Sequence, residues 1–202
     1  MKVAHLIMVH KDPAQLERLI KAMDHPNFYF YIHVDKKVRI SDFHSLSNLN
    51  RVFFIENRTA CNWGGFSFVN AIVNSMNEII LEKQEYDFIN LMSGQDYPIK
   101  SSEELSKYLE NNRDKNFISF DESLDSMWWK SAKDRFEKFH LTDYNFKGSS
   151  FLEKVINLLI PKRIIPYKFK LYGGTYSSWW TISGKCAKYL VENVRLEKEL
   201  MS

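Results

Sequence analysis

Phe88-Ile89-Asn90-Leu91-Met92 is an apolar run that breaks into Ser93-Gly94-Gln95-Asp96-Tyr97-Pro98-Ile99. Such a run, bounded by turn residues, reads as a buried strand of a parallel sheet. Open α/β sheets bind ligands beyond the carboxyl ends of these strands. Asp96 is therefore a carboxylate at the mouth of a crevice, and a base only for a hydroxyl that comes within hydrogen-bond reach. His33-Val34-Asp35-Lys36-Lys37 closes a second apolar run in the same manner. Asp35 can accept from a ribose or a nucleobase N–H, and the lysines can meet a phosphate as point charges. On spacing alone, the same residues read more readily as a strand end with a capping Asp and solvated lysines.

Asn62-Trp63-Gly64-Gly65-Phe66-Ser67 is a third candidate. Paired glycines allow backbone shapes and close approaches closed to other residues. Ser67 can cap the helix expected next, and the free N–H groups of that helix start can serve an anion. An ordinary capped turn with a packed Trp63 explains the segment as well. Gly173-Gly174 leads into Ser177, Ser178, Trp179 and Trp180. On a strand the two indoles point to opposite faces, one into the core and one free to carry a sugar ring, or both serve as core.

The absent patterns exclude several chemistries. No Asp-x-Asp occurs, and hard-metal sites draw on several oxygen ligands, so no divalent metal is expected. His5, His10, His25, His33, His44 and His140 show no ligand spacing. There is no Gly-x-Ser-x-Gly elbow, no dinucleotide fingerprint and no phosphate loop.

The elements that must position these residues alternate. Strands are predicted at Val3–His10, Phe28–Val34, Val52–Ile55, Phe88–Met92 and Asn116–Phe120. Between them lie a helix opened by Asp12-Pro13, a helix over Phe68–Leu81, and a short helix with a Ser101/Glu104 capping box ending near Leu109. This order predicts an α/β fold, a mostly parallel sheet with helices on both faces. Residues 121–150 read as irregular, Ser178–Ser183 as one more strand and Gly184–Leu200 as a helix.

A chain of 202 residues with 45% hydrophobic content fits one domain over residues 1–202. A net charge of +3 is too mild to argue for nucleic acid. Cys61 and Cys186 lack metal-ligand spacing and point to a reduced, cytosolic setting. No signal peptide is read at the start, where Val3–Val9 is too short to span a bilayer. Ile156, Leu158, Leu159 and Ile160, followed by Lys162, Arg163, Lys168 and Lys170, read first as an ordinary packed segment with solvated lysines, and also suit weak peripheral contact with anionic lipid at the inner membrane face.

Together, Val9-His10-Lys11, Tyr31 to Lys37, Trp63 to Ser67, Ile89 to Ile99, and Gly174 with Ser177 to Ser183 resemble the core-2/I-branching β-1,6-N-acetylglucosaminyltransferase and peptide O-xylosyltransferase family, in the family's order. The small chain looks more like bacterial members than the Golgi enzymes. The resemblance implies a GT-A-like, Rossmann-like fold. It implies inverting, metal-independent transfer from a UDP-sugar, N-acetylglucosamine or xylose, to a glycan, lipid-linked glycan or other hydroxyl acceptor. By carry-over, Val9, His10, Asp35 and Lys37 contact uracil and ribose, Trp63 and Gly64 shape the donor pocket, and Asp96 lies near the donor. Ser178, Trp179 and Trp180 line the donor–acceptor region. The family's catalytic Glu and its diphosphate-binding Arg and Lys belong to segments with no counterpart here, so a C-terminal truncation is expected. Glu192, Glu197 and Glu199 do not match that Glu. Asp96 is left as the one catalytic candidate, and a UDP-sugar- or glycan-binding protein without turnover is the alternative.

Overall fold

The computed structural model describes residues 1–121, 127–144, 146–164, 172–174 and 178–196. Ser177, Lys168, Lys170, Glu197 and Glu199 lie outside the described residues, as does the end of the last predicted helix. The strands are β1 (Val3–Val9), β2 (Phe28–Val34), β3 (Val52–Phe54), β4 (Phe88–Ser93), β5 (Phe120–Asp121), β6 (Gly173–Gly174) and β7 (Trp180–Ser183). The helices are α1 (Pro13–Ala22), α2 (Phe66–Leu81), α3 (Ser102–Glu110), α4 (Met127–Glu137), α5 (Ser149–Leu159) and α6 (Gly184–Leu196), with a 3-10 helix over Ile40–Asn48. The chain clusters into two units. One holds Met1–Cys61, Val69–Ile118 and Trp179–Ser202; the other holds Asn62–Phe68 and Ser119–Ser178.

The first unit carries a five-stranded sheet in the order β3-β2-β1-β4-β7. β1 pairs in parallel with β2 on one side and β4 on the other, Val3 facing both Phe28 and Phe88. Every residue of β1 is buried, and β2 is nearly so. Strands covered on both faces need unbroken apolar runs, which is what these sequences supply. α1 begins as predicted: Asp12 accepts from the Gln15 N–H at 3.0 Å, and Pro13 is the first helical residue. Leu16, Leu19 and Ile20 are its buried stripe. The Ser101/Glu104 capping box opens α3. Phe28, Phe30, Phe88 and Leu16 are among the largest fully buried side chains of this core.

Three expectations are corrected. First, no parallel strand forms over Asn116–Phe120. β7 already occupies the outer edge of β4, so Phe117 makes an isolated antiparallel bridge to Thr181, with N–H···O distances of 2.7 and 2.9 Å. Only Phe120–Asp121 forms a strand, paired antiparallel with Gly173–Gly174 in the second unit. Second, the strand predicted from Ser178 begins at Trp180 and runs antiparallel to β4. Trp179 precedes it, so the two indoles do not alternate within one ladder. Third, residues 121–150, read as irregular, hold α4 and the start of α5, while 138–144 and 146–148 between them are in neither helix nor strand. Their helical spacing is masked by aromatic and charged residues, and α4 gains i,i+4 support from Lys133 and Glu137 at 3.3 Å. Among the described residues no helix is long and apolar enough to cross a membrane.

His5 is a polar exception inside the sheet. Its ring stacks on Phe30 at 5.3 Å and meets Phe28 edge-on at 4.7 Å. The Asn90 amide donates to His5 Nδ1 at 2.9 Å, and the Thr181 hydroxyl donates to Asn90 Oδ1 at 2.9 Å. The chain of bonds joins β1, β4 and β7. Among the described residues His5 Nε2 has no hydrogen-bond partner.

Complete burial pushes the His5 pKa down from 6.5 to about 3. Below pH 6.5 the unfolded chain takes up a proton that the folded chain refuses, so stability falls as the pH drops from there toward 3. His5 should cost about 2 kcal/mol between pH 7 and pH 5. In His5→Gln, urea denaturation should show a shallower loss over that interval. An unchanged slope would remove His5 as the cause.

Candidate functional site

β1, β2 and β4 are parallel neighbours, so their carboxyl ends share one edge of the sheet. From β1 the chain moves outward through β2 and β3, then returns to add β4 on the opposite side of β1. The strand order therefore reverses between β1 and β4. This is where open α/β sheets leave a crevice, because successive connections depart in opposite directions. Val9 and His10 end β1, and Gly94 to Asp96 follow β4. Val9 is buried, His10 is exposed and Asp96 is half-buried.

Asp35 follows β2, with its N–H donating to Val9 O at 2.8 Å. Its residue exposure is 6%, low for a carboxylate. One oxygen accepts from the Lys37 N–H at 2.8 Å, the other from the Cys61 N–H at 3.3 Å. The Lys37 ammonium lies 3.8 Å from that second oxygen and donates to Cys61 O. Arg58, which carried no sequence signal, and His33 complete the loop. Arg58 donates to the carbonyls of Val34, Asp35 and Val38 at 2.8, 3.0 and 2.7 Å. His33 Nε2 accepts from the Thr59 N–H at 3.0 Å, and burial lowers its pKa below the usual value. Asp35 thus organises its own loop at the position where a ligand would meet it.

The turn after β4 is as tight. Asp96 accepts from the Ser93 N–H at 2.8 Å, and its own N–H donates to Ser93 O at 3.1 Å. Among the described residues the second carboxylate oxygen of Asp96 has no hydrogen-bond partner. Gly94 permits the turn: a Cβ there would lie 2.8 Å from Val9 Cγ2. Because β7 is antiparallel to β4, Trp180 pairs with Leu91 near the carboxyl end of β4. Trp179 and Trp180, both half-buried, therefore approach the same edge as Asp96.

Trp63, Gly64 and Ser178 belong to the second unit. Trp63 is 96% exposed, and Ser178 is exposed. Gly64 takes the left-handed region at φ 74°. Ser67 does not cap the helix as expected, because α2 already begins at Phe66. The carboxylate of Asp143 takes that place. It accepts from the Ser67 N–H at 2.9 Å, from the Ser67 hydroxyl, and from the Asn62 amide at 3.3 Å. Burial alone would raise the Asp143 pKa, but the bonds from Ser67 and Asn62 outweigh it and hold it below the ordinary value. Gly65 makes room for this carboxylate, since a Cβ would lie 2.2 Å from Asp143 Oδ1. The helix start proposed as an anion site is thus filled by the chain's own anion. No local sequence signal marks a partner 76 residues away.

The sheet edge thus gathers Val9, His10, Asp35, Lys37, Asp96, Trp179 and Trp180 from the candidate residues. Among the described residues no group of three His, Cys, Asp or Glu side chains is placed to hold a metal ion.

The sequence profile of the Branch family, the Core-2/I-Branching enzymes, matches residues 3–202. Xylosyltransferase 2 of Mus musculus is 34% identical over 125 residues, covering 58% of this chain and 14% of its own length. The xylosyltransferase of Ciona intestinalis is 32% identical over 124 residues, again 58% of this chain and 14% of its own. The chain spans only a small part of the length of these relatives. The crystal structure of a 4-diphosphocytidyl-2C-methyl-D-erythritol synthase from Anaerococcus prevotii aligns over 97% of this chain and 76% of its own. Its sequence identity is 11% and its TM-score 0.49, which adds nothing to what the strand order shows.

The Asp143 clasp has a measurable consequence. Asp143→Ala should cost about 1–2 kcal/mol, the scale of a lost N-terminal cap. In a double-mutant cycle with Ser67→Ala, the two losses should add to more than the double variant loses. Strict additivity would show that the bond from the Ser67 hydroxyl to Asp143 contributes nothing.

Proposed function

This chain belongs to the Core-2/I-branching enzyme family, and we propose that the carboxyl edge of its sheet binds a UDP-sugar for transfer to a hydroxyl of a glycan or protein acceptor. The observation that supports this most is the reversal of strand order between β1 and β4, with polar residues at both strand ends. Val9, His10 and Asp35 meet uracil and ribose, and Lys37 lies beside them. Asp96 faces the donor sugar with the carboxylate oxygen that the Ser93 N–H leaves unused. Trp179 and Trp180 approach from β7 on the acceptor side. Trp63 and Gly64 have their donor role from family likeness alone. The xylosyltransferase relatives favour xylose, and N-acetylglucosamine is the other sugar the family likeness allows.

In an inverting transfer, the acceptor oxygen forms its bond to the anomeric carbon as the bond to UDP breaks. A carboxylate takes the hydroxyl proton, and positive charge meets the departing diphosphate. We assign the step no divalent metal. What supports this is that Asp96 stands singly, where a metal held by carboxylates would draw on several oxygens.

Titration calorimetry tests the reading directly. UDP should bind equally well in EDTA and with added Mn²⁺. His10→Ala should weaken UDP without lowering the melting temperature, because His10 is exposed. Asp35→Asn should weaken UDP by about tenfold or more, the scale of one charge-assisted hydrogen bond. UDP affinity unchanged in both variants would sink the binding site. A large gain with Mn²⁺ would sink its metal independence.

A further inference from the structure

We propose that the outward face of α5 is a docking surface for an anionic lipid bilayer, an inference that stands apart from the nucleotide site. α5 is an amphipathic helix mounted with its polar side inward. Asn157 accepts from the Phe139 N–H and donates to the Phe139 carbonyl, both at 2.8 Å. One turn away, Glu153 accepts from the Leu141 N–H at 2.8 Å and lies 3.5 Å from His140. These bonds fix the rotation of the helix. On the opposite arc, Phe151, Leu158 and Leu159 are 74%, 83% and 75% exposed, with Leu152 also exposed. Residues 151, 152, 155, 158 and 159 follow helical spacing, so they form one stripe rather than scattered contacts. No residue of α5 is buried. Ile164, in the segment that leaves the helix, is 89% exposed.

Charge decides what this face meets. Between 146 and 164 the charged residues are Lys147, Glu153, Lys154, Lys162 and Arg163. The single acid among them is turned inward onto Leu141 and His140. Lys147 and Lys154 are exposed. An apolar stripe bordered by lysines is the pattern of a helix lying in the bilayer interface, its stripe among the acyl chains and its cations at anionic headgroups. A second copy of the chain would bury the same stripe. It would also bring like charges together, because a two-fold contact sets each patch against itself.

Vesicle flotation of the 202-residue protein tests this. It should float with vesicles of phosphatidylcholine and phosphatidylglycerol, and stay behind with phosphatidylcholine alone. Added salt should release it. The double variant Leu158→Asp/Leu159→Asp should lower the bound fraction by about tenfold or more, since it removes the apolar anchor. Its circular dichroism and UDP affinity should match the parent, which separates this proposal from the nucleotide reading. Lys147→Glu/Lys154→Glu should weaken binding to the anionic vesicles. No flotation, equal flotation with neutral vesicles, or equal flotation of the aspartate variant would each overturn the proposal. So would a stable dimer that the aspartate variant dissociates, which would give the face to a second copy.

Discussion

β1 has neither a free edge nor a free face. Its backbone groups are paired with β2 on one side and β4 on the other, and all seven residues are buried. A strand in that position must be apolar throughout and must lie in register with both neighbours. Slipping by one residue would exchange the side chains between faces while breaking two ladders together. The candidate site inherits this constraint. Val9, Asp35 and Gly94 are positioned by three adjacent strands, and two backbone bonds tie their ends: Asp35 N–H to Val9 O at 2.8 Å, and Gly94 N–H to Met8 O at 3.0 Å. A ligand at this edge would meet groups held by the most buried part of the molecule.

The polar residues in and bordering this interior are hydrogen-bonded. His5 is neutral and linked through Asn90 to Thr181. His33 binds the Thr59 N–H, and Arg58 spends its donors on three backbone carbonyls. Burying such groups is costly unless they are hydrogen-bonded. Here the bonds also have a purpose in the fold. They stitch the loop after β3 to the end of β2, which brings the Cys61 N–H to Asp35. His5 Nε2, which has no partner among the described residues, is the exception, and the pH dependence of stability should report it.

What the sequence displayed follows from how local each determinant is. β1, β2 and β4 are legible because buried parallel strands are apolar at every position. α1 and α3 are legible because their caps lie within a few residues. The antiparallel direction of β7 was not legible, since direction is fixed by pairing with β4 and not by Trp180–Ser183 itself. Ser67 read as a helix cap because caps are usually local, yet a distant Asp143 displaced it. α5 was not legible as a helix, because its stripe of Phe151, Leu152, Val155, Leu158 and Leu159 points outward and lacks a cap signal. Hydrophobic periodicity gives the stripe, and only the bonds of Glu153 and Asn157 give its direction. At the site, strand-end position exposed Asp35 and Asp96 as candidates. It did not reveal how many of their oxygens the fold already uses.

That distinction ranks the carboxylates. An ionised carboxylate offers about four acceptor positions. Asp143 gives three to Ser67 and Asn62, and so works as a structural clasp. Asp35 gives one oxygen to the Lys37 N–H and the other to the Cys61 N–H. It retains room for a ligand donor, but its position is set by the loop. Asp96 gives one oxygen to the Ser93 N–H. A group that takes a proton from an incoming hydroxyl must present a lone pair within about 2.6–3.2 Å of it. Of the three, Asp96 keeps the most acceptor capacity unused among the described residues, while Asp35 is held through both oxygens. The division comes from the fold: the strand end that closes a long loop fixes its carboxylate from both sides, and the strand end that opens a short turn fixes its own from one.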